Sequence, residues 1–357
     1  MATTDDGTRL TFAQEVRSAV TVRAALLVIG VLGLMVAFIT SYAGAFHRPK
    51  PDRVPLAVVA PTQIRGELVD KLDRLPGTPL DPRPVASEAA ARRQIHDRTL
   101  DAALIVDPRG TTDRLLVAGG GGASLSQAVE LVVTAAEKQQ RRTVRTEDVI
   151  PADAGDGRSL SSFYLVVGWC VGGYLCAAIL AISAGARPAN RQRAVIRLAA
   201  LALYAIAAGL AGALVVGPVL DALPGSLFGL WGLGALTVFA VGATTLAFQG
   251  LLGIIGIGLA ILVIVVFGNP SAGGAYPYPL LPPFWRAIGP ALPPGAGTWA
   301  ARSIAYFRGQ ALTGPLLVLS AWAVGGVLVT VVLASLHKTA DERAGGVTAG
   351  GEKHLPA

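Results

Sequence analysis

Six stretches of this chain, residues 24–46, 162–184, 198–220, 226–248, 250–267 and 311–336, contain no Asp, Glu, Lys, Arg or His. A hydrocarbon core about 30 Å thick needs roughly 20 residues of helix at about 1.5 Å rise each, because lipid offers unpaired backbone no partner. The chain therefore reads as an α-helical polytopic membrane protein with six transmembrane helices. Its 15% charged and 52% hydrophobic residues agree, against about 25% and roughly 45–50% in soluble domains. The two cysteines, Cys170 and Cys176, share one apolar stretch, which excludes a disulfide-stapled module.

A net charge of +7 would raise nucleic acid as a partner in a soluble protein, but the position of the charges decides otherwise. Between His47 and Leu160 there are 17 basic and 16 acidic residues, leaving 13 basic and 7 acidic for the rest of the chain. The excess thus flanks the apolar stretches, a pattern of membrane orientation, and no nucleic-acid partner is expected. Arg9, Arg17 and Arg23 lie in the leader; Arg187, Arg191, Arg193 and Arg197 lie in the link between spans two and three; Lys338, Arg343 and Lys353 lie in the tail. Six spans put these three segments on one side. Assigning that side to the cytoplasm leaves residues 47–161 and 268–310 outside, although Arg286, Arg302 and Arg308 in the latter run against the rule. Ala43-Gly44-Ala45 offers small residues to a signal peptidase, yet the preceding apolar run is too long for a signal core, so residues 24–46 read as an uncleaved anchor. Residues 1–23 form a cytoplasmic leader, read either as an interfacial helix over Leu10 to Val20 or as disordered.

Residues 47–161 read as an α+β domain inserted between spans one and two. Val54 to Ala60 is a short apolar run ended by Pro61, and Ile64, Leu68 and Leu72 then recur every four residues: strand, then helix. Ser87 caps a second helix with Glu88 in its first turn, and residues 101–106 and 114–118 read as strands. Gly119 to Gly122 lead into a helix from Ser124, and residues 141–158 read as a charged tether to the membrane. The glycine run superficially resembles an anion-binding turn but lacks the lysine of a phosphate loop, so it reads as a flexible linker.

Catalytic chemistry finds no residues to carry it. There is no G-x-x-x-x-G-K-[ST], no H-E-x-x-H and no G-x-S-x-G, and the four histidines stand apart. No catalytic residue, metal site or cofactor is expected. The spans carry no carboxylate or histidine for a proton relay, and Thr237, Thr244, Thr245 and Tyr204 read as helix-to-helix hydrogen-bonding residues. Gly168, Gly172, Gly225, Gly229 and Gly253 read as helix-packing positions, in a tight bundle and a homodimer.

The connection 268–310 holds eight prolines in 43 residues, which forbids one continuous helix. Its apolar pieces, 283–288 and 298–307, carry Phe284, Trp285, Trp299, Tyr306 and Phe307, and read as re-entrant or interfacial at the outer face.

The phrase Gly268-Asn-Pro-Ser-Ala-Gly-Gly274, followed by Leu281-Pro-Pro-Phe-Trp-Arg-Ala-Ile-Gly-Pro290, Leu292-Pro-Pro294 and Ala301-Arg-Ser303, resembles the signature before the last span in the phage-infection-protein branch of the type-2 ATP-binding-cassette exporter permeases. Ile95-His-Asp-Arg-Thr-Leu-Asp-Ala-Ala-Leu-Ile-Val106 is similar to a segment of the same proteins' outer domain. The resemblance implies a dimeric permease in a bacterial plasma membrane that exports lipidic, polymeric or drug-like cargo with a separate ATPase. Asn269, Pro270, Trp285, Arg286, Trp299 and Arg302 are then the expected outer gate or interface. Arg187, Arg191, Arg193 and Arg197 are the expected docking surface for the ATPase, though the link is short and carries no acid. Some relatives imply the alternative, a non-transporting scaffold or receptor whose outer domain binds phage or envelope proteins.

Overall fold

The computed structural model describes residues 21–185 and 190–349. The expected leader helix over residues 10–20, with Arg17, lies outside these residues, as do Arg9, Arg187 and Lys353. In chain order, helix α1 (Val22–Phe46) leads to β1 (Val54–Val59), α2 (Thr62–Asp73), β2 (Leu80–Pro84), α3 (Glu88–His96), β3 (Ala102–Ile105) and β4 (Thr112–Val117). Helix α4 (Ala123–Gln139) and β5 (Thr143–Asp148) complete the domain, whose alternating strands and helices build a mostly parallel α/β sheet rather than the expected α+β arrangement. Helices α5 (Ser161–Ala184), α6 (Arg191–Leu214), α7 (Leu227–Leu252), α8 (Ile255–Ile261), α9 (Pro283–Ile288), α10 (Pro293–Tyr306) and α11 (Thr313–Ala349) follow.

Five helices are long and apolar enough to cross a membrane: α1, α5, α6 with its extension to Val219, α7 and α11. The protein is mostly helical with one small sheet, and those five helices suit a membrane location. The expected span 250–267 takes a different form. Helix α7 runs through Gly250 to Leu252, and the chain turns at Gly253, whose φ of 63° is left-handed backbone that glycine adopts without strain. The return helix, Ile255–Ser271, is shorter than the other five. It continues from α8 through a π-helical stretch, Leu262–Gly268. Helix α6 likewise ends in π-helix, Val215–Val219, whose wider turn accommodates Pro218. At its other end α6 starts at Arg191, where the Asn190 side chain accepts from the Arg193 N–H at 2.9 Å, seven residues before the apolar run.

The sheet has order β2-β1-β3-β4-β5, parallel except between β3 and β4. Alternation along the central strands loads both faces. Leu56, Val58, Leu104, Leu115 and Val117 pack on α2 and α4, while Ala57, Ala103 and Leu116 pack on α3 with Phe307. Leu56, Leu104 and Leu115 are fully buried, each contributing about 1.5–3 kcal/mol relative to an exposed side chain. The expected elements at 54–60, 101–106 and 114–118, and the helices capped by Ser87 and following the glycine run, are present within a few residues. Two strands were not expected. Residues 143–148, read as tether, form β5 in parallel register with β4 from Thr143↔Thr112 to Asp148↔Val117, and β2 contains Pro82 and Pro84.

Small residues set the helix spacing, but mostly not those the spacing rule selects. A Cβ at Gly209 of α6 would lie 2.5 Å from the Ala235 nitrogen of α7, and one at Gly234 would lie 2.8 Å from the Gly209 Cα. Of the expected packing glycines, Gly172 faces the Tyr204 hydroxyl and Gly229 faces Ile304, whereas Gly168 and Gly253 face open space. Gly225 sits in the turn before α7 against the Ile304 carbonyl. Thr237 and Thr245 donate to the carbonyls of Leu233 and Val241 within their own helix, and only Thr244 reaches across, to Trp322 O at 3.3 Å.

Candidate functional site

The α/β domain meets the bundle along a seam formed by the proline-rich segment. Pro293 and Pro294 occupy the first turn of α10, where a missing N–H costs nothing, and they start the helix earlier than its apolar pattern suggests. Helix α10 is not a surface element: Ala296, Ala300 and Ala301 join Trp169 of α5, Leu233 of α7 and Leu319 of α11 in one apolar core. Its end carries Phe307 into the core of the α/β domain.

The glycine run is a contact surface. Gly119 and Gly120 are buried, and a Cβ at Gly120 would lie 2.7 Å from the Tyr306 ring. Gly122, with φ of 143°, leaves no room for a Cβ beside Pro277. The Tyr306 hydroxyl donates to Asp156 at 2.5 Å, and burial with this carboxylate raises its pKa.

Two arginines join the halves. Arg98, at the end of α3, donates to the Trp299 carbonyl at 2.8 Å and the Ser303 hydroxyl at 2.6 Å, and its guanidinium lies 3.5 Å from the centre of the Trp299 ring. Such a stacked cation contributes about 0.5–2 kcal/mol beyond its hydrogen bonds. Arg302, 3% exposed, donates to the carbonyls of Gly273 (2.6 Å), Gly274 (2.7 Å) and Ser159 (3.0 Å). Burial lowers Arg98 to about 9, helped by the charge of Arg302, and lowers Arg302 to about 10, so both stay charged at neutral pH. Asp101, also buried here, is pushed up to about 6. Arg286 closes one side, donating to the Asp52 carboxylate and to the Asp52 carbonyl at 3.0 Å.

These groups surround a cavity of about 290 Å³. Of the expected gate residues, Arg286, Trp299 and Arg302 line it. Asn269 and Pro270 do not; they are buried in the turn that ends the return helix, with the Asn269 side chain against Tyr42 of α1. Trp285 also stays outside, packed on Phe267 and Phe284. Arg98, Asp101, Tyr278 and Phe307 line it as well. The phrase around Arg98 carried the family resemblance, but nothing in its local pattern placed the side chain against a helix some 200 residues later.

The expected ATPase docking surface is split. Arg191 and Arg193 are exposed, whereas Arg197, six residues into α6, is only 5% exposed and turned into the bundle. It is therefore removed from that surface. A second, apolar groove of about 740 Å³ runs between α5 and α6, lined by Gly168, Gly172 and Gly212 among others. Its Ser161 end lies two residues from Ser159, whose carbonyl Arg302 holds.

No protein-family model, curated protein or solved structure matches this chain.

Proposed function

We propose that the protein is the permease-like subunit of an ATP-binding-cassette-type exporter, moving lipidic, polymeric or drug-like cargo in a bacterial plasma membrane. The observation that carries this reading is the adjacency of an apolar groove on the bundle and a charged cavity at the seam, on the two sides of the turn at Ser159 and Ser161. An amphiphile needs both environments. In this reading the return helix, Ile255–Ser271, is a sixth crossing; its 17 residues reach about 25 Å, short of a full core but compatible with local thinning. Both termini are then cytoplasmic, and residues 47–161 are extracytoplasmic. Two of the three arginines that ran against this orientation serve the seam, Arg302 on carbonyls and Arg286 on Asp52.

The subunit works as a homodimer and has no catalytic residue or cofactor of its own; ATP is hydrolysed by a separate partner at the face bearing Arg191 and Arg193. Reconstitution with that ATPase and a fluorescent lipid tests this. ATP-dependent movement of the lipid supports the reading, and export that persists after deletion of the ATPase contradicts it.

The rival reading, a scaffold or receptor that binds envelope proteins or phage, is favoured by one observation: the α/β domain has its own core on both faces of the sheet. Exchanging residues 54–158 for an unrelated domain separates the two. Loss of partner binding with export retained supports the receptor.

A further inference from the structure

We infer that the seam cavity is a binding site for a phosphate group. Arg98 and Arg302 both line it, and among the described residues neither has a carboxylate within 4.0 Å. Every hydrogen bond they make goes to a neutral acceptor, and the buried Arg302 Nε has none. A buried guanidinium without a direct ion pair is costly to hold, and Asp101 and Asp156 act on Arg98 and Arg302 only through space, so two such groups around one cavity favour an anion.

Among the described residues, none of the nearby carboxylates forms an ion pair with either guanidinium. Asp52 is engaged by Arg286, and Asp156 accepts from Tyr306 and from the Ser161 N–H at 2.7 Å. Asp101 lines the cavity and its charge acts on Arg98 through space, but it forms no ion pair with either guanidinium. Helix α4 adds positive potential. Its first-turn residues Leu125 and Ser126 line the same space, where the helix dipole favours an anion. A doubly charged, multi-oxygen group matches two guanidinium forks better than a single carboxylate does. The nearby apolar groove would suit the tail of a phospholipid, while the cavity alone would admit a free phosphate. The inference concerns the same cavity as the permease reading, yet it is tested by binding alone. A protein that binds phosphate and moves no cargo keeps this assignment and loses the other.

The test is calorimetric titration of the full chain in detergent, at constant ionic strength, with inorganic phosphate and with dioctanoyl phosphatidic acid. Saturable binding is expected, weakened about tenfold or more by Arg98→Gln through loss of a charge-assisted bond, and tightened severalfold by Asp101→Asn through removal of a competing carboxylate. The tightening cannot come from misfolding, so it stands even if the Arg98 variant fails to purify. Tighter binding of phosphatidic acid assigns the site to a lipid headgroup, and equal binding assigns it to free phosphate. Binding of neither probe, or an affinity that Asp101→Asn leaves unchanged, overturns the inference.

Discussion

Arg98 of the α/β domain sits over the ring of Trp299 of α10, 3.5 Å from its centre, while donating to the carbonyl of that same residue. One side chain thus reads both the face and the backbone of a residue 201 positions away, and ties a water-compatible domain to a helix buried in an apolar bundle.

Arg98→Ala is expected to loosen the seam. It removes two hydrogen bonds from a charged donor and the stacking on Trp299, for a loss of about 2–4 kcal/mol. Arg98→Lys keeps the charge without the planar fork and is expected to recover less than half. Thermal unfolding in detergent checks both, and an unchanged midpoint for the Ala variant counts against the seam as a stabilising contact.

The far side of the α/β domain holds a buried carboxyl that titrates, Glu137. Glu137, 1% exposed, lies beside the fully buried Asp113, and Arg142 donates to Asp113 at 2.6 Å. Burial, together with the charge of Asp113, pushes Glu137 up to about 7. A carboxyl raised on folding stabilises the fold while protonated, so this contribution is full below the ordinary value near 4.5 and is lost as pH rises through 7. Asp101, at about 6, adds the same sign over a lower window. Melting curves are expected to show the domain more stable at pH 5.5 than at pH 8, with Glu137→Gln flattening the upper part of the profile. A profile identical to wild type would falsify the assignment. Arg142→Ala leaves Asp113 buried without its counter-ion and is expected to cost about 3–5 kcal/mol.

Glu88 and Glu147 act oppositely. Arg114 and Arg92 hold both carboxyls below the usual range. Their contribution is present above the ordinary value and lost as pH falls through the lowered one, so stability declines again at strongly acid pH. Substituting Arg114 by Gln shifts that acid limb upward in an acid titration monitored by circular dichroism.

Helix packing gives a contrast between two glycines. Gly209→Val drives a side chain into the α7 backbone, with an overpacking cost of about 1–3 kcal/mol or more, whereas Gly168→Val fills open space and leaves the monomer's stability unchanged. Size-exclusion yield and melting midpoint of the two variants test this. A shift of the Gly168 variant from dimer to monomer would place the dimer contact in the α5–α6 groove.

What the sequence revealed follows from where one-dimensional pattern meets one environment. Long apolar helices and the central strands β1, β3 and β4 have continuous apolar faces and were legible. Both edge strands were not: β2 carries two prolines, which an edge tolerates, and β5 reads Thr-Val-Arg-Thr-Glu-Asp, with Val144 its only apolar side chain. The site was half legible. Trp299 and Arg302 stood out as aromatics and charges in a proline-rich connection, but Arg98 and Asp101 acquire their roles only when the domain closes on α10. Gly119 to Gly122 misled for a related reason, since the absence of side chains served a contact rather than a linker.

In the proposed topology the α/β domain faces the outside of the cell while the start of α6 faces the cytoplasm. Labelling with a membrane-impermeant maleimide measures this directly, using Arg109→Cys and Arg193→Cys, both exposed positions, in a background lacking Cys170 and Cys176. The account predicts labelling of the Arg109 variant in intact cells and of the Arg193 variant only after permeabilisation. The reverse pattern, or equal labelling of both in intact cells, contradicts it.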